Sequence, residues 1–181
     1  MIAEIGAFVA ALALALSLAQ GGLGLAYANS EARAAAAAAL AQAAALCCAI
    51  AFALLITLFL QSDFTVAVVA ANSHIDKPLI YKIAGAWGNH EGSMLLWCFV
   101  SALFGAIFAS VRGKQSLGLW SRTIGVQGLV TVGALIYTLF LSNPFARLDP
   151  APFVGSGLNP LLQDPALAVH PPLLYLGYVG M

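Results

Sequence analysis

Charged residues are scarce in this chain. Of its 181 residues 8% are charged, seven basic and seven acidic, while 62% are apolar. A soluble domain carries about 25% charged residues. So few charges cannot cover the surface of a water-soluble core. We therefore predict an integral membrane protein.

Other absences exclude further classes. The formal net charge is zero and no basic stripe occurs, so we expect no nucleic-acid partner. Intrinsic disorder requires low hydrophobicity and high charge, which is the opposite composition. The cysteines Cys47, Cys48 and Cys98 lie in apolar runs and form no C-x-x-C motif. We expect them to be small apolar residues of membrane helices rather than redox or metal-binding groups.

Long apolar runs are abundant. They predict transmembrane helices over about 2–28, 34–60, 92–111 and 123–142. Each reaches the roughly 20 residues that a helix needs to cross a hydrocarbon core of about 30 Å. A helix satisfies its own backbone groups in lipid, whereas an open strand does not.

Two features concern the ends of the chain. Ala26-Tyr27-Ala28 has the pattern of a signal-peptide cleavage site, but the preceding run holds Glu4, lacks Lys and Arg, and is too long, so we predict a retained helix. Residues 171–181 are apolar and would reach only about 16 Å as a helix. We expect them to begin a fifth helix in a truncated chain or in one piece of a split protein. The predicted fold is an all-α membrane protein with four complete helices and the start of a fifth.

Charges in the connecting segments indicate the orientation. The 112–122 loop holds three basic residues and no acid. The 61–91 loop holds two basic and three acidic residues, and the 143–170 loop holds one and two. The positive-inside rule places 112–122 in the cytoplasm and both other loops outside.

His170 is the first candidate for a functional residue. It precedes Pro171 and Pro172, which suit the first turn of a helix because proline has no N–H to lose there. An imidazole held at the outer interface either ligates haem iron, for which it is a common axial ligand, or bonds a backbone carbonyl of the loop. The residues alone leave both readings open.

A second group of candidates lies in the first outer loop and at the start of the third helix. His90 and Glu91 open that helix, where the helix dipole favours a carboxylate. They either hold a ligand or relay protons, or they form a helix terminus with Trp87 as an interface aromatic. His74 reads as a solvated loop residue.

Three further residues fit an anionic macrocycle. Lys82 and Arg147 either pair with an anionic group such as a haem propionate or are ordinary interface charges. Tyr81, like Trp87, either offers a flat surface to a macrocycle or belongs to the aromatic belt of the membrane interface.

Taken together, the loop motifs strongly resemble the family of cytochrome c maturation protein F. The resemblance covers essentially the whole chain, but only about the first quarter to third of the family's length. The strings that carry it are Asp63-Phe64-Thr65-Val66-Ala67, Tyr81-Lys82, Trp87-Gly88, His90-Glu91-Gly92-Ser93, Ser142-Asn143-Pro144-Phe145, Leu158-Asn159-Pro160-Leu161-Leu162-Gln163-Asp164-Pro165 and His170-Pro171-Pro172-Leu173-Leu174-Tyr175.

The resemblance implies a membrane subunit of the haem lyase of cytochrome c biogenesis in the bacterial inner membrane. In that family a haem chaperone delivers haem at the periplasmic face, and haem is joined by thioether bonds to the C-x-x-C-H cysteines of apocytochrome c, together with other maturation subunits. Haem is thus a substrate. His170 matches the first of the family's two external histidines, which implies that it is an axial ligand of the haem iron.

The resemblance also implies that the site is incomplete here. The family's tryptophan-rich segment, its second external histidine and the histidines of its own haem b lie beyond residue 181, so we expect this portion to be inactive alone. Two alternatives remain: a transporter or proton-path subunit, and a non-catalytic scaffold of a membrane assembly complex. The first would need ionisable residues at mid-membrane, yet the four runs hold almost none apart from Glu4 near one end.

Overall fold

The chain is all-helical. Its structure, a computed structural model, describes residues 1–26, 29–157, 159 and 163–180. That part holds seven helices and, outside them, one isolated β-bridge between Val66 and Arg147. The helices are α1 (Ile2–Ala26), α2 (Glu31–Gln61), α3 (Ala67–Asn72), α4 (Leu79–Gly85), α5 (His90–Ser110), α6 (Leu117–Phe140) and α7 (Pro165–Gly180).

Four of these described helices, α1, α2, α5 and α6, are long and apolar enough to cross a membrane. They pack as one bundle, in which α1 contacts α2 and α6, and α5 contacts the same two helices. Helix α7 lies against α5 and the short α4. The predicted all-α multi-pass membrane architecture is confirmed.

Small side chains let the membrane helices approach closely. The buried residues of α1 recur every three or four positions and form one face: Ala3, Gly6, Ala10, Ala13, Ser17, Gln20, Gly21 and Gly24. A Cβ atom on Gly24 would lie 2.7 Å from the Cα atom of Gly125 in α6. Within lipid such close packing replaces the hydrophobic driving force between helices.

A chain of polar contacts crosses the bundle within these apolar runs. The Gln20 amide in α1 donates to Ile124 O at 2.9 Å and to Gln127 Oε1 at 2.9 Å, both in α6. The Gln127 amide in turn donates to Ser101 O in α5 at 2.7 Å. These bonds tie three helices together, since a buried amide in lipid needs a protein partner.

The helix bounds differ from the sequence prediction at polar first turns. Helix α2 begins at Glu31 rather than 34, and α6 begins at Leu117 rather than 123. Ser116 caps α6, its hydroxyl oxygen accepting from Leu119 N at 3.3 Å. Arg122 therefore belongs to a helix and not to the loop. Of the cleavage-like triplet, Tyr27 and Ala28 lie outside the described residues.

The segments 62–89 and 141–157 meet at the end of the bundle where α1 begins and α2 ends, and this end is called the loop end. The segment 61–91, predicted as a loop, contains the two short helices α3 and α4. Backbone bonds join the two segments of the loop end, with Ala67 N donating to Ala146 O at 2.9 Å and Leu148 N to Thr65 O at 2.9 Å. At the bundle interior, Cys48 and Cys98 are fully buried and unpaired with each other.

Candidate functional site

His170 lies inside helix α7 and not before it. The helix begins at Pro165, so the predicted start at 171 and the predicted loop end at 170 are wrong. Asp164 caps the helix, with its Oδ1 accepting from Ala166 N at 2.9 Å and Leu167 N at 3.2 Å. Asp before Pro is the pattern of a cap followed by the first helical residue, and this sequence signal was available.

Helix α7 continues through two consecutive prolines. A proline inside a helix leaves the carbonyl four residues earlier without its helical donor. For Pro172 that carbonyl belongs to Ala168. The indole Nε1 of Trp87 donates to Ala168 O at 2.7 Å and takes the place of the missing amide.

The ring of Trp87 is held in place by aromatic neighbours. It stacks on Phe52 of α2 at a centroid distance of 6.3 Å and an interplanar angle of 28°. Phe52 also stacks on Phe99 of α5, at 6.3 Å and 15°. Trp87 is thus half-buried, and its N–H serves the backbone of α7.

The corner before α5 is tightly built. The Asn89 side chain accepts from Gly92 N at 2.6 Å and donates to Gly85 O at 2.6 Å. A Cβ atom on Gly92 would lie 1.8 Å from Ala86 O, so only glycine fits. His90 and Glu91 are the first residues of α5, as predicted.

His90 has a partner within the bundle. Its Nε2 lies 3.1 Å from the hydroxyl oxygen of Tyr137 in α6, and the two rings meet edge to face at 6.0 Å. His74 also has a partner: its Nδ1 accepts a hydrogen bond from the backbone N–H of Asp76 at 3.2 Å. Both imidazole rings therefore already have partners within this chain.

Tyr81 and Lys82 lie on α4. Lys82 Nζ donates to Ser62 Oγ at 2.9 Å. Ser62 ends α2 in the left-handed conformation, with φ of 53°. Helix α4 contacts α7. In the described part of the chain, no hydrogen bond, ion pair or ring contact joins Tyr81 or Lys82 to His170.

Arg147 is engaged by two carboxylates. Its Nε and one terminal nitrogen donate to the two oxygens of Glu4 at 2.8 and 2.9 Å. Its other terminal nitrogen lies 3.5 Å from an Asp63 carboxylate oxygen and donates to the Thr65 hydroxyl. These bonds, above all those to Glu4, raise the pKa of the Arg147 guanidinium. The charge of Arg147 is thus compensated within the chain.

The side chain of His170, in contrast, is exposed and has no hydrogen bond, ion pair or ring contact with any described residue. Ala168, whose carbonyl faces Trp87, is buried. Because a helix turns by about 100° per residue, His170 projects about 200° away from Ala168. The structure therefore separates two predicted site residues, since Trp87 and His170 lie on opposite sides of α7.

An apolar groove follows His170 along the same side of α7. It has a volume of about 310 Å³ and is lined by Leu173, Leu174, Gly177 and Tyr178. Its first three residues follow His170 by three, four and seven positions and so share its helix face. A Cβ atom on Gly177 would meet nothing within 4 Å. A free imidazole thus heads an open apolar surface, which suits a flat apolar ligand carrying a metal ion.

A larger groove of about 750 Å³ lies between α5, α6 and the end of α7. Its walls are mainly apolar, with Arg122 as the charged residue among its lining residues. Tyr178 borders both grooves. This groove runs along membrane-spanning helices and is separate from His170.

The chain is similar in sequence to known proteins. The family model of the cytochrome C assembly protein matches residues 87–181, which begin at Trp87 and contain α5, α6 and α7. The cytochrome c-type biogenesis protein ccl1 of Rhodobacter capsulatus is 55% identical over 130 residues, covering 72% of this chain and 20% of that protein. The protein CycK of Bradyrhizobium diazoefficiens is 51% identical over 129 residues, covering 71% and 20%.

A solved structure extends the likeness to the whole fold. The protein titled "Cytochrome c Heme Lyase CcmF" superposes with a TM-score of 0.83 at 28% identity, covering 99% of this chain and 28% of that one. In the curated relatives above, this chain spans about a fifth of the full length.

Proposed function

This chain belongs to the cytochrome C assembly protein family, and we propose that it serves as a membrane subunit of a cytochrome c haem lyase. Its role would be to receive haem at the loop end and to position it for covalent attachment to apocytochrome c. The names of its relatives, which are cytochrome c-type biogenesis proteins and a haem lyase, support this proposal.

The observation that carries the proposal is the state of His170. It is the one histidine without a partner in the described part of the chain, and it heads an apolar groove. Haem fits such a place, because imidazole nitrogen ligates its iron and its apolar macrocycle gains from burial against leucine side chains. The groove residues Leu173 and Leu174 are exposed and available for that contact.

The anionic edge of haem needs a cation or water. Arg147 already binds Glu4 and Asp63, whereas Lys82 donates to the neutral hydroxyl of Ser62. We therefore retain Lys82 as the candidate partner of a haem propionate. Its helix, α4, contacts α7.

The chemistry asked of the protein is mainly positioning. In thioether formation a cysteine thiol adds across a haem vinyl group: a carbon–sulfur bond forms, the vinyl double bond becomes single, and the thiol hydrogen ends on the other vinyl carbon. Haem and the apocytochrome supply these groups. His170 would hold the iron and so fix where the vinyl groups meet the thiols.

The proposed setting is the bacterial inner membrane with the loop end in the periplasm. The three basic residues of the 112–122 segment, at the opposite end, support this orientation. The partners would be a haem chaperone, apocytochrome c and other maturation subunits, all approaching the loop end.

Replacing His170 tests the proposal. The chain is purified in detergent from haem-replete cells, and its bound haem is measured by the pyridine haemochrome spectrum. We expect His170→Ala to remove most of the bound haem, while His74→Ala, a matched histidine in the same loop end, keeps it. A scaffold role predicts equal haem in both variants, and that result would overturn the proposal.

A further inference from the structure

We propose that Trp87 is the positioning residue of His170: its indole N–H replaces the amide that Pro172 lacks and so fixes α7 against the corner between α4 and α5. This inference rests on the proposed function of His170. It assigns Trp87 a role through the backbone of α7, rather than direct contact with the substrate.

Pro172 leaves a backbone carbonyl of α7, that of Ala168, without its helical donor. A carbonyl left without a donor inside a protein costs free energy comparable to a lost hydrogen bond. Ala168 is buried, so water cannot readily serve its carbonyl. The Trp87 bond of 2.7 Å supplies the donor from outside the helix. Pro172 thus leaves an acceptor that only a neighbouring element can satisfy. This requirement fixes where α7 packs against Trp87.

Trp87 is well placed to act as a fixed point. Its backbone N–H donates to Ala84 O at 3.2 Å, and the next residue, Gly88, donates to the same carbonyl at 2.8 Å. Its ring stacks on Phe52. An indole held at both backbone and ring leaves little freedom to the helix that it binds.

A second contact keeps α7 from rotating. Trp97 of α5 stacks on Tyr175 of α7 at a centroid distance of 6.2 Å and an interplanar angle of 15°. Tyr175 follows Ala168 by seven positions, or about two helical turns, and therefore shares its face. The contacts at Ala168 and Tyr175 lie on one face of α7. Together they fix both the rotation of α7 about its axis and its position along that axis.

The position of His170 follows from these anchors. The residue is two positions after Ala168 and has no other described contact that would hold its side chain. Because the helix is rigid over one turn, fixing the Ala168 carbonyl fixes the direction of the imidazole. Loss of the Trp87 hydrogen bond would let the first half of α7 move, and the imidazole of His170 would then occupy several positions.

The experiment removes the N–H without removing the ring and then restores a donor elsewhere. Haemin is titrated into the chain in detergent micelles and followed by its Soret absorbance. Trp87→Phe keeps an aromatic ring against Phe52 and is expected to weaken haemin binding about threefold to tenfold, the usual effect of losing one hydrogen bond. Adding Pro172→Ala returns a helical N–H to Ala168 O, and the double variant is expected to recover most of that loss.

Trp120→Phe is the matched control. Trp120 also donates its indole N–H to a backbone carbonyl, Phe108 O at 3.4 Å, but it lies in α6 at the end of the bundle opposite the loop end. We expect this variant to bind haemin within about twofold of the parent chain. General loosening of the bundle would weaken both tryptophan variants, and only a hydrogen-bond role predicts rescue by Pro172→Ala.

The remaining outcomes separate the two proposals. If His170→Ala binds haemin normally, the proposed function fails, and positioning of a ligand fails with it. If His170→Ala loses binding but Trp87→Phe does not, the proposed function stands and the positioning role is wrong. Hydrogen–deuterium exchange of the peptide over 163–176 checks the anchor without haemin: we expect faster exchange in Trp87→Phe, and unchanged exchange would overturn the inference.

Discussion

The guanidinium of Arg147 donates two parallel hydrogen bonds to the carboxylate of Glu4, of 2.8 and 2.9 Å. The two residues lie 143 positions apart in the chain. Their contact joins the first turn of α1 to the segment after α6, and Asp63 brings in the end of α2. Such paired geometry requires the planar fork of arginine and is stronger than a single ion contact. The loop end is therefore closed by an ion-pair cluster as well as by backbone bonds.

Replacing Arg147 with lysine should weaken this closure. Lysine keeps the charge but cannot donate two parallel bonds to Glu4 or reach Asp63 and Thr65 at the same time. We expect Arg147→Lys to lower the thermal unfolding midpoint of the chain in detergent, measured by tryptophan fluorescence. Glu4→Gln should have the same direction of effect, and the two effects should add only in part, because both changes break the contact between Glu4 and Arg147.

Arg112→Lys serves as the comparison for that prediction. Both pairs are exposed, but Arg112 approaches Glu31 at a single distance of 3.8 Å, without the paired hydrogen bonds of Arg147. Exposed single ion pairs contribute little to stability. Equal shifts for the two arginine variants would contradict the special role given to the Arg147 fork.

Gly92→Ala should disturb the start of α5. The added Cβ atom would lie 1.8 Å from the backbone carbonyl oxygen of Ala86, and a backbone atom cannot swing away as a side chain does. We expect a loss of about 1–3 kcal/mol in the free energy of unfolding, as for other overpacked sites. The reversible unfolding of the chain in mixed micelles would measure it.

The matched glycine is Gly133 in α6. A Cβ atom there would meet nothing within 4 Å, and alanine is the better helix former, so Gly133→Ala should leave stability unchanged or raise it by up to about 1 kcal/mol. If Gly92→Ala were equally harmless, the close approach of Gly92 to the Ala86 carbonyl would be contradicted.

Lys77 makes stability depend on pH. This half-buried side chain donates to Asn72 O at 3.2 Å, and burial lowers the pKa of its ammonium group from 10.5 to about 8. Between these values the unfolded chain binds a proton that the folded chain has released. The free energy of unfolding should therefore rise as the pH increases from about 8 to about 10.5.

Thermal melts across that range, compared between the parent chain and Lys77→Met, would isolate this contribution. We expect the variant to lose part of the rise and to be relatively more stable below pH 8. Lys114→Met, which changes an exposed lysine in the turn before α6, should leave the rise in place. A rise of equal size in all three chains would contradict the assignment to Lys77.

Much of the architecture could be predicted from the sequence, since four long apolar runs leave no other way to satisfy the backbone in lipid. The predicted helix ends are less accurate. An apolar run ends at the first polar residue, but polar residues such as Glu31 of α2 can still belong to the first turn of a helix. The helical surroundings of His170 were missed for a related reason. The sequence predicts that the helix starts at Pro171, whereas Asp164 caps it before Pro165 and the Trp87 indole supplies the hydrogen bond that Pro172 lacks.

The sequence by itself determined that this chain is a membrane protein, where its four spans lie and, through its motifs, to which family it belongs, because these depend on composition and local order. Only the tertiary structure decided which polar residues are already engaged. It pairs Arg147 with Glu4, His90 with Tyr137 and Trp87 with Ala168, and leaves His170 without a partner among the described residues. A side chain's freedom to bind depends on neighbours that are distant in the chain, and packing alone brings those neighbours together.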